Sequence, residues 1–200
     1  MYDFTKLALE YQGALSGYLR AHLVDHGIAE EVIARRGIGW DGEYVTVPVW
    51  RGRSLSFFER WSLDAIGVPV NDVGYAVRYP SDRFNEEHDT LVFAEGIHEC
   101  LIFESMGIPA IAASGLGLVF KTRDWKPILK DTSEILIAVR CGEKRSRRTC
   151  VLSRDELVTK ILVALSQARR MEWPTSIGRD EGAFEFFVRD GRSAEDFLAL

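Results

Sequence analysis

Cysteine is scarce in this chain: Cys100, Cys141 and Cys150 are the three in 200 residues, an odd number with no CxxC spacing. That excludes a disulfide framework, gives no support to a zinc site, and predicts a reduced, cytoplasmic protein. Proline is sparse too, at 6 residues, and no apolar run approaches the length that spans a bilayer, so no membrane partner is expected. The opening Met-Tyr-Asp-Phe-Thr-Lys lacks a basic leader followed by an apolar stretch, and no secretory signal is expected. An excess of positive charge is also missing: 25 Lys+Arg stand against 30 Asp+Glu, a formal net charge of −5. A net acidic chain repels polyanions unless its basic residues are gathered on one face. What is present is globular composition, 46% hydrophobic and 28% charged. That excludes a disordered or collagen-like chain and suffices for one domain, or for two small subdomains sharing a core.

Periodicity divides the chain into two kinds of grammar. Residues 3–20 carry Leu7, Leu9, Tyr11, Leu15, Tyr18 and Leu19 as one apolar stripe, which predicts a helix. Ala29–Arg36 is a second, short helix closed by Gly37, the residue type that tolerates a left-handed C-terminal turn. The period then becomes two. Tyr44–Trp50 and Arg53–Trp61 read as antiparallel strands around Arg51-Gly52, with Pro48 predicting an edge or irregular position. Tyr75–Tyr79 is a candidate strand before a polar link, Pro80–Asp89. Beyond residue 90, strand Leu91–Ala94, helix Ile97–Met106 and strand Pro109–Ala113 have the length of a right-handed parallel crossover. Asp124–Lys130 is a candidate helix and Glu134–Val139 a third buried strand. Ser153 caps a predicted helix through Arg169, and short helices at Gly182–Val188 and Ser193–Leu200 end the chain. The expected layout is a small mixed α+β unit, 1–89, followed by a parallel α/β unit, 90–200.

In open parallel sheets, ligands bind beyond the carboxyl ends of the strands. That rule selects Glu95-Gly-Ile-His-Glu99, Ser114-Gly-Leu-Gly117 and Arg140-Cys-Gly-Glu-Lys144. Glu95 and Glu99 are one helical turn apart, so their carboxylates share a face. Two carboxylates so placed either hold a hard divalent cation, supply a general base, or serve only to support the helix start. His98, between them, reads as a packed or exposed side chain rather than as a base, and the Ser114–Gly117 glycines read as a turn.

The stretch Leu91-Val-Phe-Ala-Glu-Gly-Ile-His-Glu-Cys-Leu-Ile-Phe-Glu-Ser-Met-Gly-Ile-Pro-Ala-Ile-Ala-Ala-Ser-Gly resembles the opening of a Toprim domain, the fold of bacterial-type DNA primases, topoisomerases and some nucleases. The likeness extends on both sides. Gly27-Ile-Ala-Glu-Glu-Val-Ile-Ala-Arg-Arg-Gly-Ile-Gly-Trp, the Val-Pro-Val strand and Gly52-Arg-Ser-Leu-Ser-Phe-Phe-Glu-Arg60 resemble the subdomain that precedes Toprim in primases. Arg78-Tyr79 stands where primases carry a basic-Tyr pair, and Arg179-Asp180 with Phe184–Phe187 resembles the segment closing their Toprim domain. The resemblance spans about residues 20–200 and implies a Toprim-like parallel sheet flanked by helices, preceded by a small mixed α+β subdomain. It also implies single-stranded DNA, RNA or nucleotide as ligand, replication proteins as further partners, and Mg2+ as cofactor of an active member. The zinc-binding and helicase-contacting modules usual in primases are not seen here, so the chain is expected to be a standalone core or an excised piece.

The departure from the pattern is equally specific. Toprim enzymes carry Asp-x-Asp after the third strand; here Arg140-Cys141-Gly142 falls on that motif. If metal is retained, the resemblance leaves Glu95, Glu99 and the adjacent Glu143 to hold it, with Glu95 and Glu99 catalytic and Asp180 in reserve. Two glutamates at one sheet end repel unless a cation lies between them. A guanidinium can bind carboxylates by a fork of donors. We therefore expect an Arg140–Glu95 ion pair where a metal would stand. Residues 140–148 then hold five cations, Arg140, Lys144, Arg145, Arg147 and Arg148, against one acid, Glu143, a local charge of +4. With Arg60 and Arg78 they form a candidate phosphate-binding set, and Arg51 and Arg53 extend its track. Trp50, Phe57, Phe58 and Trp61 are either base-stacking groups or core. The expected function is nucleic-acid or nucleotide binding with weak or lost metal-dependent catalysis. The alternatives are an active magnesium-dependent nucleotidyltransferase and a non-catalytic partner-binding module.

Overall fold

The computed structural model describes residues 4–70, 77–82, 87–114, 125, 129, 131–140, 154–179 and 181–200. Its first helices are α1 (Phe4–Ala14) and α2 (Gly17–Asp25), where the sequence predicted one continuous helix. Ser16 is the reason for the break: its hydroxyl accepts the Leu19 N–H at 3.3 Å and starts a new helix. The restart changes the phase of the stripe, so Leu9 and Tyr18 face solvent while Leu15, Leu19 and Leu23 are buried. Helix α3 (Glu30–Arg36) ends as expected at Gly37, whose φ of 65° requires the left-handed region.

Strands β1 (Gly39–Trp40), β2 (Val45–Arg51) and β3 (Ser54–Trp61) form an antiparallel sheet, with Gly52 in the β2–β3 turn. Because β1 pairs only with Val45 and Thr46, β2 is an edge strand at Pro48, where a missing N–H is tolerated. A register shift between Val49 and Trp50 leaves Val45, Val47 and Val49 fully buried and turns Trp50 partly outward.

The second sheet has five strands in the order β4-β6-β5-β7-β8. These are β4 (Val77–Tyr79), β5 (Thr90–Ala94), β6 (Ala110–Ser114), β7 (Glu134–Ala138) and β8 (Ala168–Arg170). All neighbours are parallel except β4, which runs antiparallel to β6. Helix α4 (Ile97–Ser105) makes the β5–β6 crossover. Alternation sorts the strands between two cores. Leu91, Phe93, Ile111, Ile135 and Ile137 face Trp125, Leu129 and α5 (Arg154–Ala164). Val92, Ala94, Ala110, Ala112 and Ala138 face α4, and their small side chains let that helix lie close to the sheet. The α4-side core continues without interruption into α2, α3, β2 and β3. It also takes in Phe186, Phe187 and Phe197, which pack on Phe103 or on one another.

Two predicted helices take other forms. Arg169 lies in β8 rather than in the helix capped from Ser153. The chain leaves α5 at Ala164, and residues 168–170 pair with Ile135–Ile137 of β7, so a free sheet edge overrides helical propensity. Gly182–Val188 becomes a π-helical turn, Phe184–Arg189, and the final helix is α6 (Ala194–Leu198), closed at its start by a Ser193–Asp196 capping box. Of the candidate helix Asp124–Lys130, only Trp125 and Leu129 are described, both helical and buried. Among the described residues no helix is long and apolar enough to cross a membrane.

Candidate functional site

Parallel pairing of β5 with β7 sets Ala94 opposite Ala138, so the residues that follow both strands emerge at the same sheet end. Glu95 follows β5, Glu99 lies in the first turn of α4, and Arg140 follows β7. The three side chains meet. Arg140 Nε lies 3.2 Å from Glu99 Oε1 and 3.4 Å from Glu95 Oε2, which is the ion pair expected from the charges. Each carboxylate also accepts a backbone N–H: Glu95 Oε2 from Arg140 at 3.3 Å, and Glu99 Oε2 from Glu95 at 3.2 Å. Both glutamate side chains are about nine-tenths enclosed, and that of Arg140 is 30% exposed. Burial opposes the arginine's charge, but Glu99, Glu95 and Glu185 outweigh it and raise its pKa.

The far end of the chain closes this site. Gly182 N–H donates to Glu185 Oε2 at 2.7 Å, and the backbone at Gly182 passes directly over the pair. A Cβ there would lie 2.6 Å from Glu99 Oε1 and 3.2 Å from Arg140 Cγ, so any larger residue would have to displace the pair. His98 behaves as packing. Its Nε2 donates to the His26 carbonyl at 3.1 Å, its ring lies edge-on to Trp61, and burial lowers its pKa to about 4.

A second polar centre joins the two parts of the chain. The Glu104 side chain is fully buried on α4 and is held by the Arg36 guanidinium, which also reaches Asp82 Oδ1 and Oδ2 at 2.9 Å. Beside this network is a cavity of about 220 Å³ lined by Arg35, Arg36, Pro48, Trp50, Gly52, Tyr79, Pro80, Ser81 and Asp82. Tyr79 lines this cavity, and its hydroxyl is buried with no hydrogen-bond partner among the described residues. The sequence reading named Trp50, Arg78 and Tyr79 but missed Arg35, Arg36 and Glu104. The available signal was Glu104 itself, an acid directly after the apolar run Cys100–Phe103, on a helix whose burial would demand a partner cation.

Other predicted residues are dispersed. Arg60, on β3, pairs with Asp41 at 2.9 Å, and Arg78 lies in the edge strand β4. Trp61 is fully buried and is therefore core, and Phe58 packs on Tyr11 with ring centroids 5.1 Å apart. Glu143, Lys144, Arg145, Arg147, Arg148 and Asp180 lie outside the described residues, as does Gly115–Gly117.

A parallel sheet flanked by helices, joined to an antiparallel sheet through a common core, is the architecture of primase catalytic cores. The chain superposes on the DnaG primase catalytic domain bound to ssDNA with a TM-score of 0.69 and 18% identity, covering 98% of this chain and 75% of that one. The E. coli primase catalytic core gives 0.68 and 20%, covering 97% and 76%. Primase domains in a bacteriophage T7 assembly with lagging-strand DNA polymerase, an RNA/DNA hybrid and dTTP give 0.61 and 13%, covering 88% and 89%. At these identities the likeness is one of fold. No family model matches the chain, and no curated protein matches it by sequence.

Proposed function

We propose that this chain is a primase-like, Toprim-type core that binds single-stranded nucleic acid or nucleotide, in replication or mobile-element biology and in the cytoplasm, with metal-dependent catalysis weak or lost. The observation that carries the reading is the Arg35–Trp50–Tyr79 cavity. It combines a half-exposed guanidinium, a partly exposed indole and the buried ring of Tyr79 in its lining. A nucleobase offers a face to the indole, and its phosphate offers charge to Arg35. The fold neighbour bound to ssDNA supports the same ligand class. Active synthesis by Glu95 and Glu99 is the weaker reading, because Arg140 occupies both carboxylates.

The test is fluorescence anisotropy with a labelled single-stranded oligonucleotide at low and physiological salt. Trp50→Ala and Arg35→Ala are each expected to weaken binding about tenfold, and Tyr79→Phe less. Equal affinity of wild type and Trp50→Ala would remove the cavity from the interface. A primer-synthesis assay run in parallel is expected to show little or no product.

A further inference from the structure

We infer that the Arg140 guanidinium is the resident cation of the carboxylate cluster beyond β5 and β7, so that the chain neutralises this cluster itself and takes no divalent metal ion there. A divalent ion needs carboxylate oxygens turned toward one shared point from several sides, and magnesium demands near-octahedral order at about 2.1 Å. Here the point on which two of the oxygens converge is already filled by the guanidinium, and the backbone claims others. Glu99 Oε1 and Glu95 Oε2 face the guanidinium, Glu95 Oε2 and Glu99 Oε2 accept backbone N–H groups, and Glu185 Oε2 holds the Gly182 N–H. The Gly182 backbone also packs closely on the pair, since a Cβ there would lie 2.6 Å from Glu99 Oε1 and 3.2 Å from Arg140 Cγ. Among the described residues no group of three or more His, Cys, Asp or Glu side chains is arranged to hold a metal. The magnesium implied by the resemblance therefore does not fit the described residues of this site.

The substitution is a change of chemistry. A metal ion exchanges with solvent and carries open coordination positions, whereas a guanidinium is permanent, monovalent and a hydrogen-bond donor only. The glutamates and Arg140 accordingly form a fixed junction between two strand ends, the start of α4 and the Gly182 turn. Whether the chain binds nucleic acid is a separate matter, and the test uses none.

The chelator-treated 200-residue chain is titrated with Mn2+, following free Mn2+ by electron paramagnetic resonance and thermal unfolding with and without the ion. Wild type is expected to leave Mn2+ free and its Tm unmoved. Arg140→Asp replaces the cation by a third carboxylate and is expected to bind Mn2+ and gain Tm in its presence. Glu99→Gln is expected to lower Tm by about 5 °C, equally with and without Mn2+. Mn2+ binding by wild type that is lost in Glu95→Gln or Glu99→Gln overturns the inference. So does a folded Arg140→Asp protein that takes no Mn2+, because the carboxylates then define no cation position. Should Arg140→Asp fail to fold, the Glu99→Gln comparison decides alone.

Discussion

One residue before the Glu99 carboxylate, burial holds a histidine neutral. His98 is enclosed by Trp61, Phe184 and the His26 backbone, and desolvation lowers its pKa to about 4 against an ordinary 6.5. Hydrogen bonding to the His26 carbonyl opposes that shift, while the nearby charges of His26 and Arg140 add to it. Above pH 6.5 the ring is neutral in both folded and unfolded chains, and its contribution is fully present. As pH falls from 6.5 toward 4, the unfolded chain takes up the proton first, so stability declines. The accumulated loss is about 3 kcal/mol. Urea unfolding at about pH 7 and about pH 4.5 measures it, with His98→Gln as the comparison. The glutamine retains a donor for the carbonyl but does not titrate, so the stability difference between the two pH values should shrink by most of that amount. An unchanged difference assigns the acid sensitivity elsewhere.

Among elements, α1 and β1 approach closely at Gly39. A Cβ on Gly39 would lie 2.6 Å from both Gln12 N and Tyr11 O, which are backbone atoms of α1 that no rotamer change can move. Gly39→Ala is therefore expected to push helix and strand apart and cost about 2–3 kcal/mol, as other overpacked positions do. Denaturant titration checks it, with Gly42→Ala as a control on a glycine whose surroundings are open. Gly42 has a φ of 104°, so its own cost is local strain rather than separation of elements, and hydrogen exchange in α1 distinguishes the two. Elements held by local chemistry were legible in the sequence: α3 with its Gly37 end, the β2–β3 hairpin, and the β5–α4–β6 crossover. Those decided by distant partners were not. Ser16 could have been interior or cap until the helix phase was known, and β8 exists because β7 offers it an edge.

At the scale of the whole molecule, net charge and charge placement point in different directions. The described part pairs many of its charges internally, some of them buried: Arg36 with Glu104 and Asp82, Arg140 with Glu95 and Glu99, Arg60 with Asp41. The two halves of the candidate site differ in legibility for the same reason. Glu95, Glu99 and Arg140 could be placed together because strand ends in a parallel sheet converge by topology. Gly182 and Glu185 reach the same point from the end of the chain, and Arg35 meets Trp50 only once two subassemblies share a core, so neither meeting has a local pattern. The densest run of cations offered to a polyanion is the sequence cluster Lys144, Arg145, Arg147 and Arg148, and half-exposed Arg35 lines the cavity. If those four cations each neutralise one phosphate, substituting all of them by Ala should reduce the log–log salt slope for single-stranded oligonucleotide binding by about 3. It should also weaken binding most at low salt. The measurement is anisotropy across a salt series for wild type, the fourfold variant and Trp50→Ala. Trp50→Ala should lower affinity at every salt with the slope kept, because stacking releases no counterions. An unaltered slope in the fourfold variant would mean that the net charge of −5 describes the binding face as well as the average.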